Sequence, residues 1–353
     1  MKKALLPFIY FGFALNANAI DINLDKVRIN AGTRTTVVEA DDTKSRVFGF
    51  TLNIDIEDRI TDSVQFFFNT SINLETGANQ TLGSVSEFQP EEELILNNGG
   101  VRYTPNKHFE FRAGALNQLE HNSPLLIGNN AFAGISQKYS SGSFYISATQ
   151  AIPSNNRLTR RIGDLDDGNP LFNIQTIGFD FGSKLRLKAN VSAFAFSDLS
   201  DNIAQTSREL GNSVEGNNAS TRFLYNFSGL NSTFDFLHSM DNGFIYGISG
   251  QYLFNEQAPD DRNLGHLVAV RLGSLKYTAL IETFSNGSDT SPAFYNSKFY
   301  GHNNMKGQSI GFSSVQKDLS FIAKYTQADV IKSNLVQNDI QIVTLNLVKS
   351  YDF

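Results

Sequence analysis

The sequence predicts an all-β fold, a transmembrane antiparallel up-and-down β-barrel of about 16 strands, with 14 to 18 strands compatible with the pattern. Three observations carry this. Segments of about ten residues alternate apolar and polar side chains almost without interruption, the length and period of strands that cross hydrocarbon. Short turns alternate with long polar connections. The last segment alternates too, and it ends on an aromatic residue, Phe353.

Taken from the start, Met1-Lys2-Lys3 is a short basic stretch and Ala4 to Leu15 is apolar apart from Pro7 and Gly12. Ala17-Asn18-Ala19 supplies an A-x-A cleavage site, so residues 1–19 read as a secretory leader. A membrane-spanning helix needs about 20 apolar residues, and this stretch is shorter. Cleavage after Ala19 removes Lys2 and Lys3 and takes the net charge from −6 to −8. Residues 20–353 then form one domain, since no linker or low-complexity tract divides them. The mean hydropathy of −0.23 belongs to a water-soluble chain, yet there are 30 Phe and 12 Tyr. A barrel reconciles the two, because only one face of each strand meets lipid. With no Trp, Tyr and Phe must form the interfacial girdles; with no Cys, disulfides and thiolate chemistry are excluded.

The alternating runs follow in order. Val27, Ile29, Ala31, Thr33, Thr35 and Val37 share a face; then Phe48, Phe50, Leu52, Ile54 and Ile56; then Val64, Phe66, Phe68, Thr70, Ile72 and Leu74. Later runs start near Phe109, Leu185, Phe244, Val268, Leu275 and Leu319. Tight turns stand at 58–62, 140–142, 182–183, 273–274 and 316–318, and long polar stretches at 76–92, 117–131, 152–172, 198–218, 285–306 and 332–338. That asymmetry suits periplasmic turns and extracellular loops, whereas a soluble β-sandwich explains only the alternation. The strand count is ambiguous between 219 and 243, where Arg222–Tyr225 and Thr233–Phe236 read as two strands or one.

In the final segment Val343, Leu345, Leu347, Lys349, Tyr351 and Phe353 share one face. This resembles the C-terminal signal that the barrel-assembly machinery reads in bacterial outer-membrane β-barrels, with Leu345, Leu347, Tyr351 and Phe353 as its apolar positions. Lys349 departs from that pattern, and its ammonium is expected to snorkel at the membrane rim. To close the sheet, the last strand must pair with the first, near Val27–Val37. In plan the chain resembles the general porins of Gram-negative outer membranes, and among them the Campylobacter-type major outer-membrane porins. The resemblance implies a water-filled channel for ions and small hydrophilic solutes, a homotrimer, periplasmic chaperones and the barrel-assembly machinery as assembly partners, and lipopolysaccharide as neighbour.

Residues opposite each apolar face should line the lumen, because a charge on the lipid face costs roughly 2–4 kcal/mol near the midplane. The basic set is Arg28, Arg34, Arg102, Arg112, Lys138, Arg186, Lys188, Arg271, Lys276 and Lys324; the acidic set is Asp55, Glu57, Glu110, Asp180 and Glu282. Bases outnumber acids, which leans toward anion preference. Connection 117–130 holds Glu120, His121 and the apolar run Leu125-Leu126-Ile127. By the porin resemblance this third loop folds into the barrel to form the constriction, with Glu120 facing Arg102 and Arg112.

Glu91-Glu92-Glu93, Asp164, Asp166 and Asp167, and Arg157, Arg160 and Arg161 read as solvated loop charge before they read as ion or lipopolysaccharide sites. The five histidines are scattered, none in an i, i+4 metal pair, and no G-x-S-x-G elbow is present. No enzyme activity, cofactor, metal or nucleic-acid partner is therefore expected. The competing reading is a plugged structural or adhesive outer-membrane barrel that acts through its extracellular loops.

Overall fold

A computed structural model describes residues 26–40, 43–80, 88–118, 123–153, 170–182, 184–217 and 220–353. The expected leader with Ala17 and Ala19, and the loop residues Glu120 and His121, lie outside the described residues.

Sixteen strands close one antiparallel barrel. They are β1 (Lys26–Ala40), β2 (Thr43–Thr61), β3 (Val64–Gln80), β4 (Glu92–Asn106), β5 (Phe109–Asn117), β6 (Ala131–Ser141), β7 (Phe144–Ile152), β8 (Leu171–Phe181) and β9 (Leu185–Ser197), followed by β12 (Phe227–Ser239), β13 (Phe244–Asn255), β14 (Leu264–Ser274), β15 (Tyr277–Asn286), β16 (Met305–Gln316), β17 (Leu319–Val330) and β18 (Ile340–Asp352). Between β9 and β12 stand a helix, α1 (Asp201–Glu209), and a small ribbon of β10 (Val214–Glu215) with β11 (Arg222–Phe223). The ambiguous stretch thus holds one barrel strand: Thr233–Phe236 lies in β12, and Arg222 belongs to the ribbon.

Closure is made by β18 on β1, with Thr33 opposite Leu347, Thr35 opposite Leu345 and Val37 opposite Val343. Pairing the ends leaves no free edge, so the ladder of backbone hydrogen bonds runs right round the wall, as hydrocarbon demands. One end of the barrel is cut short. Two residues link β2 to β3, β4 to β5, β6 to β7, β14 to β15 and β16 to β17. Gly142 (φ 59°) and Lys317 (φ 56°) open two of these links in the left-handed region that such hairpins use. The other end carries the long loops.

The register assigns every side chain to a face. Phe48, Phe50, Leu74, Ile135, Ile177, Val191, Ile281, Ile310, Leu345 and Leu347 stand exposed on the outside. Near the short turns the outer face is aromatic: Tyr103 stacks on Phe111 at 6.2 Å, Phe109 meets Tyr139 at 5.0 Å, and Tyr277 stacks on Phe312 at 6.3 Å. Tyr and Phe supply the girdle in the absence of Trp. Lys349 lies in it, its Nζ 2.5 Å from Asp318 of the β16–β17 turn and 5.6 Å from the centre of the Tyr351 ring. The exposed pair holds the Asp318 carboxyl below the usual carboxylate range, chiefly through the hydrogen bond from Lys349.

Toward the long-loop end the simple alternation fails, because the inner face turns apolar as well. Phe132, Phe172, Ile174, Phe194, Phe196, Leu253, Phe284 and Ile342 point inward and are buried. They form one cluster with loop residues Phe88, Leu125, Leu126, Ile127, Ile203, Tyr295 and Tyr300. The hydrophobic core of this protein is therefore inside the barrel, between wall and loops.

Candidate functional site: the barrel lumen

The expected basic residues on strands face inward by register, and most meet an acid there. Arg28 lies 2.6 Å from Asp352, Arg34 pairs with Glu75, Lys188 is 2.7 Å from Asp180, Arg271 is 3.6 Å from Asp235, and Lys324 pairs with Glu282. Glu110 bridges Arg112 at 2.8 Å and Arg102 at 3.4 Å, so both guanidiniums meet a carboxylate from the wall itself. Arg102 also donates to Gln65 Oε1 at 2.8 Å and lies over the buried Phe67 ring. Lys138 sits 4.6 Å from the Tyr145 ring centre, and Arg186 is on the same inward parity as Lys188. Lys276 is a correction: it lies exposed in the two-residue β14–β15 turn and not on the wall, because β15 begins only at Tyr277. Glu75, Asp235 and Asp352 enlarge the acidic set from five to eight against nine named bases, so the inner charges largely cancel and the excess of bases counted from sequence shrinks to one. Glu75 stood between an alternating run that ended at Leu74 and a loop that began at 76, and Asp352 lay in a terminal strand read for its apolar face.

The third loop, between β5 and β6, enters the lumen over its described part. Leu126 is wholly buried. The Leu125 amide donates to Gln251 Oε1 of β13 at 3.1 Å, a strand far round the barrel from β5 and β6. Burying Leu125, Leu126 and Ile127 is worth on the order of 5–9 kcal/mol before ordering entropy. The seventh loop, 287–304, locks it in place. Ser291 Oγ donates to Leu125 O at 2.8 Å, Gly128 N to Tyr295 O at 2.7 Å, and Ser297 N to Pro124 O at 3.0 Å. Phe132 and Tyr295 meet edge-on at 5.2 Å. Asn212, after α1, ties in the fifth loop by accepting from Ala293 N at 2.7 Å and donating to Ser288 O at 2.8 Å. Burial pushes the Tyr295 and Tyr300 hydroxyls well above their ordinary range, with Glu282 adding to the effect on Tyr300, so both remain neutral. Sequence composition ranked 285–306 as polar loop; its Asn and Ser residues are hydrogen-bonding to one another inside the barrel.

The apolar packing involves β6–β18 and the loop end of β1, where Val38 and Ala40 join it. Against β2–β5 a polar cavity of about 480 Å³ stays open, lined by Asn53, Asp55, Asn69, Ser71, Asn97, Asn98, Asn117 and Asn129. The sequence reading missed these asparagines. A bulge in β4 brings two of them in together, since Asn98 faces Asn69 while Leu96 faces Thr70, leaving Asn97 as the extra residue. Among the described residues no group of His, Cys, Asp and Glu is arranged to hold a metal ion.

No protein-family model matches the chain, and no curated protein matches it either. Solved structures do. OprB of Pseudomonas putida, at low pH, aligns at 6% identity and a TM-score of 0.55, covering 92% of each chain. A loop-deletion form of OmpT, an outer membrane protein of Vibrio cholerae, aligns at 12% identity and a TM-score of 0.50, covering 92% of this chain and 99% of that one. Sixteen closed antiparallel strands, an apolar outer face, an aromatic rim and these likenesses together establish the fold: the chain is a β-barrel of the outer-membrane type.

Proposed function

We propose that the protein is a porin of a Gram-negative outer membrane, passing ions and small hydrophilic solutes by passive diffusion. One observation carries this reading: beside the packed loops, the lumen keeps an open cavity with a wholly polar lining. The inward third loop then acts as the constriction, and the paired charges of the wall set selectivity. On this reading a leader ending at Ala19 directs export, periplasmic chaperones and the barrel-assembly machinery insert the chain, and lipopolysaccharide surrounds the finished barrel. Its plan resembles that of the Campylobacter-type major outer-membrane porins.

Planar-bilayer recording tests it. Discrete conductance steps are expected, with weak ion preference, because Glu110 offsets Arg102 and Arg112. Glu110→Gln leaves those two guanidiniums uncompensated and should shift the reversal potential toward anions. One unit charge at about 1 kcal/mol in water-filled surroundings corresponds to at most roughly a fivefold change in permeability ratio. No conductance from the folded protein would remove the porin reading. The buried loop core favours, as second reading, a plugged barrel working through its loops, which would then stand.

We infer a homotrimer with its contact on β6–β8. There the outward face carries Gln137, Gln150 and Gln175 beside Asn173, and Gln150 Nε2 donates to Asn173 Oδ1 at 3.1 Å. They border an outer concavity of about 460 Å³ with Val101, Tyr103 and Phe111. Carboxamides are poorly served by lipid and well served by another subunit. Replacing Gln150 and Gln175 with Leu should convert trimers to monomers on native gels while leaving the barrel folded; unchanged trimers would refute this interface.

A further inference from the structure

We propose that the asparagine-lined cavity is a binding subsite for neutral polyhydroxylated solutes, sugars in chemical class; the proposal rests on the porin reading and deepens it. The lining is almost entirely carboxamide. Asn53, Asn69, Asn97, Asn98, Asn117 and Asn129 face one cavity, joined by Ser71 and a single carboxylate, Asp55. No base and no apolar side chain lines it, so it is a poor site for anions and for apolar solutes. Asp55 lies opposite Arg28 in the ladder, and the next charged pair toward the loops, Arg34 with Glu75, is self-neutralised. The belt is thus an electrically quiet zone between charged layers.

The amides are held in place by one another. Asn30 Nδ2 donates to Asn53 Oδ1 at 3.1 Å, and Asn53 Nδ2 donates to Asn69 Oδ1 at 2.8 Å and Ser71 Oγ at 3.1 Å. Asn97 Nδ2 donates to the same two acceptors, at 2.9 and 2.6 Å. The Asn117 amide N–H donates to Asn98 Oδ1 at 3.3 Å, and Asn117 Nδ2 donates to Asn129 Oδ1 at 3.0 Å. Two donors fill the Asn69 oxygen and fix its rotamer, which leaves the Asn69 amino group for a ligand. A carboxamide both donates and accepts, as a hydroxyl does, so a row of them matches a polyol without demanding charge. Adjacent strands lie about 4.8 Å apart, near the separation of hydroxyls on non-adjacent carbons of a pyranose ring. Asn129, from the third loop, lines the same cavity, so a solute held there exchanges its water for these amides. The volume admits a disaccharide with residual water, and hydrogen bonds alone bind weakly enough for release.

The test uses the purified full-length barrel with maltose as probe. In planar bilayers, maltose should reduce the ionic conductance in a saturable way. The Asn69→Leu, Asn97→Leu double variant should bind maltose at least about tenfold more weakly, read as the fraction of its own potassium chloride conductance that maltose blocks, since several hydrogen bonds are lost together. Asn69→Asp, which keeps size and shape, covers a folding failure of the double variant; it should weaken maltose block and shift the reversal potential toward cations. Saturation-transfer NMR on the detergent-solubilised protein reads sugar contact without any conductance. Absent conductance with NMR contact that depends on Asn69 and Asn97 would sink the porin reading and leave the subsite standing. Conductance with a maltose effect that is merely linear, equal in the variants, or matched by the gluconate anion would overturn the subsite and leave the porin.

Discussion

Leu126→Asp is expected to raise single-channel conductance and enlarge the size limit for sugars in liposome swelling, with the barrel still formed. Leu126 is wholly enclosed by the cluster that joins the third loop to the inner wall. Placing a carboxylate there without a partner costs several kcal/mol, comparable with the whole anchoring contribution of the apolar run. The loop's remaining ties, such as Leu125 N to Gln251 and Gly128 N to Tyr295 O, are single hydrogen bonds of about 1 kcal/mol net each. They do not offset that cost, so the loop leaves the lumen. Strand pairing does not depend on it, and the protein should keep the heat-modifiable gel migration of a folded barrel. Unchanged conductance in a folded Leu126→Asp barrel would show that the third loop does not narrow the path.

The second large effect is expected from Leu345→Arg. Leu345 is on the outer face of β18, opposite Thr35 of β1 and Ala323 of β17, at the seam where the barrel closes. An arginine there costs roughly 2–4 kcal/mol near the midplane, and it also falls within the terminal segment expected to be read during assembly. The folded fraction in vesicles should drop, with a lower urea midpoint for what remains. Asn346→Asp is the matched control: one residue on, it faces the lumen opposite Arg34 and should be tolerated. Equal losses for the two would overturn the assignment of faces.

Much of this architecture was legible in the alternation itself. Period-2 patterning with one apolar face fixes which side of each strand meets the bilayer, because a slip by one residue turns charge toward lipid. Hence the inward parity of Arg28, Arg34, Arg102 and Arg112, and the pairing of the last strand with the first, follow from the alternation, whereas the register of Val37 on Val343 and Thr33 on Leu347 does not, since a slip by two residues keeps the same faces. Pattern was silent where both faces are apolar, as at Phe194-Ala195-Phe196, and where a loop re-enters the barrel. There the partner of a side chain lies many strands away, as Gln251 does from Leu125, and no local period records it. The asparagines were missed for a related reason: each alone reads as an unremarkable polar residue, and only the ladder of β2–β5 with the β4 bulge gathers them on one wall.

By itself, then, the sequence determined a closed antiparallel barrel with its apolar side outward, because the solvent on each face is encoded residue by residue. Only the tertiary structure decided what the lumen is: which charges cancel, where the loops pack, and that amides line the open side. Those outcomes depend on contacts between segments distant in the chain, whose energies come from burial and hydrogen-bond geometry and not from the period of any one strand.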